Sequence, residues 1–143
     1  MDMYERVCML ARTARHLLLA TADAQGIPHL ATVQRVLPLD NHRLQVISWL
    51  CPGSLRAVAE NRKVALIILD DNVQGYQVTG DVEETDSYAM VDGYSPREEQ
   101  RREPGPQTEW RLVLRIQHVM YFKDAPHADT ELFVKENGRT VQR

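Results

Sequence analysis

Little in this chain is available for covalent or metal chemistry. Of 143 residues only two are cysteine, two tryptophan and two phenylalanine. Cys8 and Cys51 stand far apart, form no C-x-x-C pair and read as free thiols, with Cys8 buried on a first helix. The five histidines (His16, His29, His42, His118, His127) are scattered, and none pairs with another His or a Cys at ligand spacing, so no metal site is expected. G-x-G-x-x-G, P-loop and H-E-x-x-H patterns are all missing. No catalytic side chain is nominated. The longest apolar run, Val64 to Leu69, is far short of the roughly 20 residues a spanning helix needs. The segment Met1–Arg6 has neither the basic start nor the apolar block of a signal peptide, which leads us to expect a cytoplasmic protein without a membrane partner. Positive charge is not in excess: 17 Lys and Arg against 20 Asp and Glu leave a net −3. That balance argues against a dedicated nucleic-acid binder, while a local cationic pocket for a small phosphate stays compatible with it.

What remains is an ordinary globular composition, 43% hydrophobic and 26% charged, in a length suited to a single domain over residues 1–143. Met3, Val7, Leu10, Ala11 and Ala14 recur at helical spacing, predicting a helix over about residues 2–14. Two apolar segments, His16–Ala22 and Ile27–Leu37, flank the turn set Asp23–Gly26 and read as a hairpin. After a second turn at Pro38–His42, Arg43–Trp49 alternates as a strand. A short helix follows, opened by Ser54 and closed near Asn61. Val64–Leu69 reads as a strand buried on both faces. Val73–Glu83 is a further strand in which Gly80 signals a bulge or bend. Thr85 or Asp86 is a candidate cap for a short helix through Val91, and Ser95-Pro96-Arg97-Glu98 a capping box for another, ended by Pro104-Gly105-Pro106. Trp110–Phe122 is the longest strand candidate. The polar tail 123–143 reads as a loosely docked helix or partly disordered chain. The sum is a mainly β, six-stranded antiparallel barrel over about residues 15–122, with peripheral short helices.

Three segments, in order, carry a resemblance. Gly26-Ile27-Pro28-His29 followed by Gln34-Arg35-Val36-Leu37 resembles a G-x-P turn leading into an R-x-V/L strand. The stretch from Trp49 to Leu66 is similar to a strand, helix and buried strand written around N-L-R-x-N-P-R-V-A-L, and Gly75–Gly80 to a Y-Q-x-x-G strand. These are the patterns of the FMN-binding split barrels related to pyridoxamine 5′-phosphate oxidase, in their small members rather than the full oxidase. The matched segments span about residues 15–84, and order and spacing carry the resemblance more than any one motif.

The resemblance implies a split-barrel homodimer with FMN in a cleft shared by two subunits. Carried onto this sequence, the cofactor-binding candidates are Arg35, Val36, Leu37, Ser48, Trp49, Ser54, Arg56, Gln77 and Trp110. Arg35 would hold the phosphate in a fork of donors, and Ser54 would open a helix whose free N–H groups suit it. Arg56 adds a second cation. Trp49, Gln77 and Trp110 would stack on or hydrogen-bond the ring, some of them from the partner subunit. Two positions depart from the pattern: Gly53 or Ser54 stands where the family has Lys, and Arg62 where it has Pro. The implied function is an FMN-dependent oxidoreductase or flavin reductase using NAD(P)H on a small substrate. The alternatives are a non-catalytic flavin carrier or electron-transfer module, or a split-barrel dimer that binds F420, haem or no cofactor. Each candidate also has a plain structural role: a surface charge for the arginines, a cap for Ser54, a core or interface residue for the tryptophans.

Overall fold

The computed structural model describes residues 1–40, 42–48, 52–89, 108–123, 130–136 and 139–142. Helix α1 (Met3–Thr13) starts from a reciprocal cap: Asp2 Oδ1 accepts from the Glu5 N–H at 2.8 Å, and the Asp2 N–H donates to Glu5 Oε2 at 3.0 Å. It buries Met3, Val7, Cys8 and Ala11. Cys8 is buried as expected, while Leu10 lies at the margin of the stripe rather than inside it. The Tyr4 hydroxyl donates to the Arg43 carbonyl at 2.8 Å and so fastens the helix to the sheet. Burial pushes both the Tyr4 hydroxyl and the Cys8 thiol above their ordinary pKa values.

Strands β1 (His16–Ala22) and β2 (Pro28–Thr32) form the expected hairpin. Gly26 supplies the positive φ of 82° that the turn requires. Asp23 Oδ1 accepts from the Gln25 and Ile27 N–H groups at 3.0 and 2.9 Å. The next strand is β3 (Arg35–Asp40), so the predicted single strand from Ile27 to Leu37 is broken at Val33–Gln34. Tertiary bonds make the break: the Val33 N–H donates to Leu17 O at 2.8 Å, and the Gln34 N–H to Ile47 O at 2.9 Å. The chain thus leaves one sheet margin and joins another within two residues.

β4 (Arg43–Ser48) pairs with β3. Helix α2 (Pro52–Glu60) begins two residues before Ser54, because Pro52 takes a first-turn position where its fixed φ fits and its missing N–H costs nothing. β5 (Lys63–Leu69) buries Val64, Leu66 and Ile68 fully but leaves its other face half-buried, where full burial on both faces was expected. β6 (Gly75–Ala89) and β7 (Thr108–Phe122) form a hairpin of two 15-residue strands. The register slips between Thr79 and Gly80, as Gly80 led us to expect, and again between Val82 and Glu84. A helix starting at Thr85 or Asp86 does not form: Thr85–Ala89 continue the ladder to β7, whose inter-strand bonds prevail over local capping preference. The helix expected from Ser95 lies outside the described residues. β8 (Thr130–Glu136) and β9 (Arg139–Gln142) then form a hairpin on β7, where a loose helix or disorder was expected.

All pairings are antiparallel, in the order β2-β1-β5-β6-β7-β4-β3 with β8 and β9 branching from β7. The sheet has nine strands among the described residues rather than six, and it is not closed by a ladder between β2 and β3. Leu19, Leu44, Leu66, Ile68, Leu112 and Leu114 belong to one core cluster, to which α1 adds Met3, Val7, Cys8 and Ala11. No helix among the described residues is long and apolar enough to cross a membrane.

Candidate functional site

The registers of β3, β4 and β7 lay Arg35, Ile47 and Arg111 in one row across three neighbouring strands. Alternation along β4 sends Leu44, Val46 and Ser48 to the core, so the row belongs to the outer face. Ile47, at the centre, is only 1% exposed. Arg35 is exposed and its side chain forms no ion pair among the described residues. Arg111, by contrast, is held: its Nε donates to Glu109 Oε1 at 3.3 Å, and Glu109 is just 7% exposed. Sequence reasoning missed Ile47, Glu109 and Arg111. The signal was present, since Glu and Arg two apart on a strand share a face.

The other side of the same corner carries a second group. Val36 and Ser48 are buried, and Trp110, the register partner of Ser48, packs half-buried against the core. The Ser48 hydroxyl donates to the Thr32 carbonyl at 2.5 Å and bridges the margin between β2 and β4. Arg35 and Leu37 therefore look away from the side that holds Val36, Ser48 and Trp110. Ser54 lies inside the first turn of α2, 1% exposed, rather than at its cap, and Arg56 is exposed on the same helix. Trp49 lies outside the described residues.

Gln77 stands apart from all of these. It is half-buried at the far part of β6, opposite Ile67 and Met120. Met120 is ten residues along β7 from Trp110, about 33 Å of strand at 3.3 Å per residue. One chain does not bring Gln77 to Arg35.

Below the Arg35 row the outer face is filled by paired charge. Glu83, the extra residue of the second bulge, takes Arg43 Nε on one oxygen at 3.2 Å and Arg115 Nε on the other. Asp40 adds to Arg43 at 3.8 Å. Asp81 takes Lys63 at 3.2 Å and the Gln117 amide. Among the described residues no cluster of His, Cys, Asp and Glu is placed to hold a metal ion.

The chain's relatives accord with this architecture. In fold it is similar to HupZ of Group A Streptococcus (16% identity, 90% of this chain on 99% of that one, TM-score 0.60). It is also similar to an FMN-binding, pyridoxamine 5′-phosphate oxidase-related protein of Nostoc punctiforme (14% identity, 97% on 93%, TM-score 0.63). A third similar structure is an F420 reductase (19% identity, 83% on 97%, TM-score 0.54). No curated protein matches the chain in sequence. The sequence pattern of pyridoxamine 5′-phosphate oxidase matches residues 8–121, from within α1 to nearly the end of β7. With that match over most of its length, the chain belongs to the pyridoxamine 5′-phosphate oxidase family of FMN-binding split barrels.

Proposed function

We propose that this protein is an FMN-binding oxidoreductase of the flavin-reductase kind, working as a homodimer with flavin at the shared interface. The observation that carries the reading is Arg35: exposed, without an ion-pair partner among the described residues, and in the segment that matches the family's R-x-V/L strand. A guanidinium there fits a flavin phosphate, offering a planar fork of donors to its oxygens. The separation of Gln77 from Arg35 supports a second copy of the chain, since only then do both reach one flavin. So do the exposed Ile27, Leu30, Leu37 and Leu39 on and beside the two marginal strands, apolar surface of the kind a twofold partner covers. The flavin, when bound, supplies hydride transfer between NAD(P)H and a small acceptor. The chain's own residues bind the phosphate at Arg35, and the packing of Val36 behind that strand holds it in place.

The test is the visible spectrum of the purified protein after FMN addition and desalting, followed by NADH and NADPH oxidation. Retained flavin with turnover supports the reading, and retained flavin without turnover makes the protein a carrier or electron-transfer module. Arg35→Ala is expected to weaken FMN binding about 10- to 100-fold, the value of one charged hydrogen bond of about 1–3 kcal/mol. Unchanged affinity would remove Arg35 from the site. A second reading, F420 in place of FMN, draws on the likeness in fold to an F420 reductase. Parallel titrations with the two cofactors separate these readings. Retention of neither leaves a cofactor-free dimer.

A further inference from the structure

At the end of β7 away from Arg35, α1 leaves an open cleft of about 300 Å³ against the β5–β6 hairpin. Tyr76 and Tyr121 form one wall. They are register partners, half-buried, with ring centroids 5.5 Å apart and planes tilted by 49°. Arg6, Met9 and Leu10 of α1 form the opposite wall, and Asp70 and Gln74 close the hairpin side.

The polar groups of this cleft are unevenly committed. The Arg6 side chain and the two tyrosine hydroxyls make no hydrogen bond or ion pair among the described residues. Burial raises the Tyr76 pKa and the charge of Arg6 lowers it, so the guanidinium acts on that hydroxyl. Three donors therefore share one opening. Asp70 is occupied: its Oδ1 accepts from the Asn72 and Gln74 N–H groups at 2.8 and 3.0 Å, which fixes a negative charge on the hairpin side.

The backbone beside the cleft is closely packed at Gly75 and strained at Val73. A Cβ at Gly75 would meet the Ile68 carbonyl oxygen at 1.9 Å, so only glycine fits against β5 here, and Leu10 Cδ2 of α1 lies 3.2 Å from the same point. Val73, at the hairpin tip, holds φ at 58° and is 56% exposed. A β-branched residue in the left-handed region costs stability, and such positions cluster at binding sites. Met9 is 51% exposed, an adaptable apolar edge beside the opening.

We propose that this cleft binds a small aromatic carboxylate, its ring against Tyr76 and Tyr121 and its carboxylate on Arg6. The volume suits a single ring, at the lower end for small-molecule sites. Asp70 disfavours a second negative charge and favours a ring that also carries a hydrogen-bond donor, as an aminobenzoate does. Within one chain the site lies at the far end of β7 from Arg35 and on the opposite face from the neighbouring Gln77.

The experiment titrates anthranilate, a fluorescent aminobenzoate, into the full-chain protein and follows fluorescence anisotropy. Saturable binding is expected. The neutral analogue anthranilamide should bind about tenfold or more weakly, one charged hydrogen bond being lost. Arg6→Ala should weaken anthranilate by a similar factor with an unchanged circular dichroism spectrum, and Tyr121→Leu should also weaken it. The proposal is overturned by no saturation into the millimolar range, by equal binding of acid and amide, or by an Arg6→Ala protein that binds as the parent does. The comparison of acid with amide needs no variant and so decides the matter even if a variant fails to fold.

Discussion

The outer face of the sheet has two halves that use charge differently. In the half crossed by Arg43, Glu83 and Arg115, these three charges are answered by one another, as Asp81 is by Lys63. Arg43 and Arg115 are direct register partners, an arrangement that repels. The bulge at Glu83 inserts one residue whose carboxylate meets both guanidinium groups. The other half holds Arg35, which nothing described in the chain neutralises, and Arg111, tied to Glu109. Charge in the first half organises strands. In the second, Arg35 is left without an ion-pair partner among the described residues.

The contrast can be broken most severely at the backbone. Gly80→Ala would place a Cβ 1.9 Å from the Arg115 carbonyl oxygen, and that contact is main chain, unable to rotate aside. A loss of about 3 kcal/mol is expected, in the range of overpacking, read as a lower urea midpoint. Arg35→Ala tests the opposite half: its melting temperature should match the parent's while flavin retention falls, because an exposed side chain with no ion pair supports little of the fold. A drop in melting temperature as large as that of Gly80→Ala would erase the distinction. Glu83→Ala should behave in reverse, keeping flavin affinity and losing about 1 kcal/mol, a modest figure because these groups are partly solvated. Added salt should recover part of that loss by screening Arg43 from Arg115.

The smallest effect concerns the α1 end, which belongs to neither half. Tyr4 and Tyr76 have pKa values raised above 10.0 in the folded state, chiefly by burial. The folded protein holds these protons more tightly than the unfolded chain does. Their contribution is therefore complete below pH 10 and is lost as pH climbs through 10 toward the raised values. Denaturation midpoints measured from pH 8 to 11 should fall only at the alkaline end, and Tyr4→Phe should flatten that fall.

Local chemistry made much of the fold legible. The Asp23–Gly26 turn, the alternation of Arg43–Ser48 and the glycine at position 80 each announced their role, because turn geometry, pleat and bulge depend on a few adjacent residues. The interruption at Val33–Gln34 was not legible. No glycine or proline marks it, and it is made by acceptors at Leu17 and Ile47 that are distant in sequence. For the same reason Thr85–Ala89 reads locally as a helix start, since the partner strand of its ladder begins only at Thr108. Arg35 is a candidate from sequence, but its row with Ile47 and Arg111 is not legible there. A row across strands exists only once two registers are fixed.

The crossing at Val33–Gln34 also works as a phase lock between two ladders. On one side Thr32 keeps step with Leu18, and on the other Arg35 keeps step with Ile47. Lengthening or shortening the crossing by one residue leaves a choice between two defects. Either the crossing buckles, or β3 slips by one and exchanges Arg35 for Val36 on the outer face, since side chains alternate with a period of two. The outward aim of Arg35 is thus set by the count of residues in the two-residue crossing that precedes it.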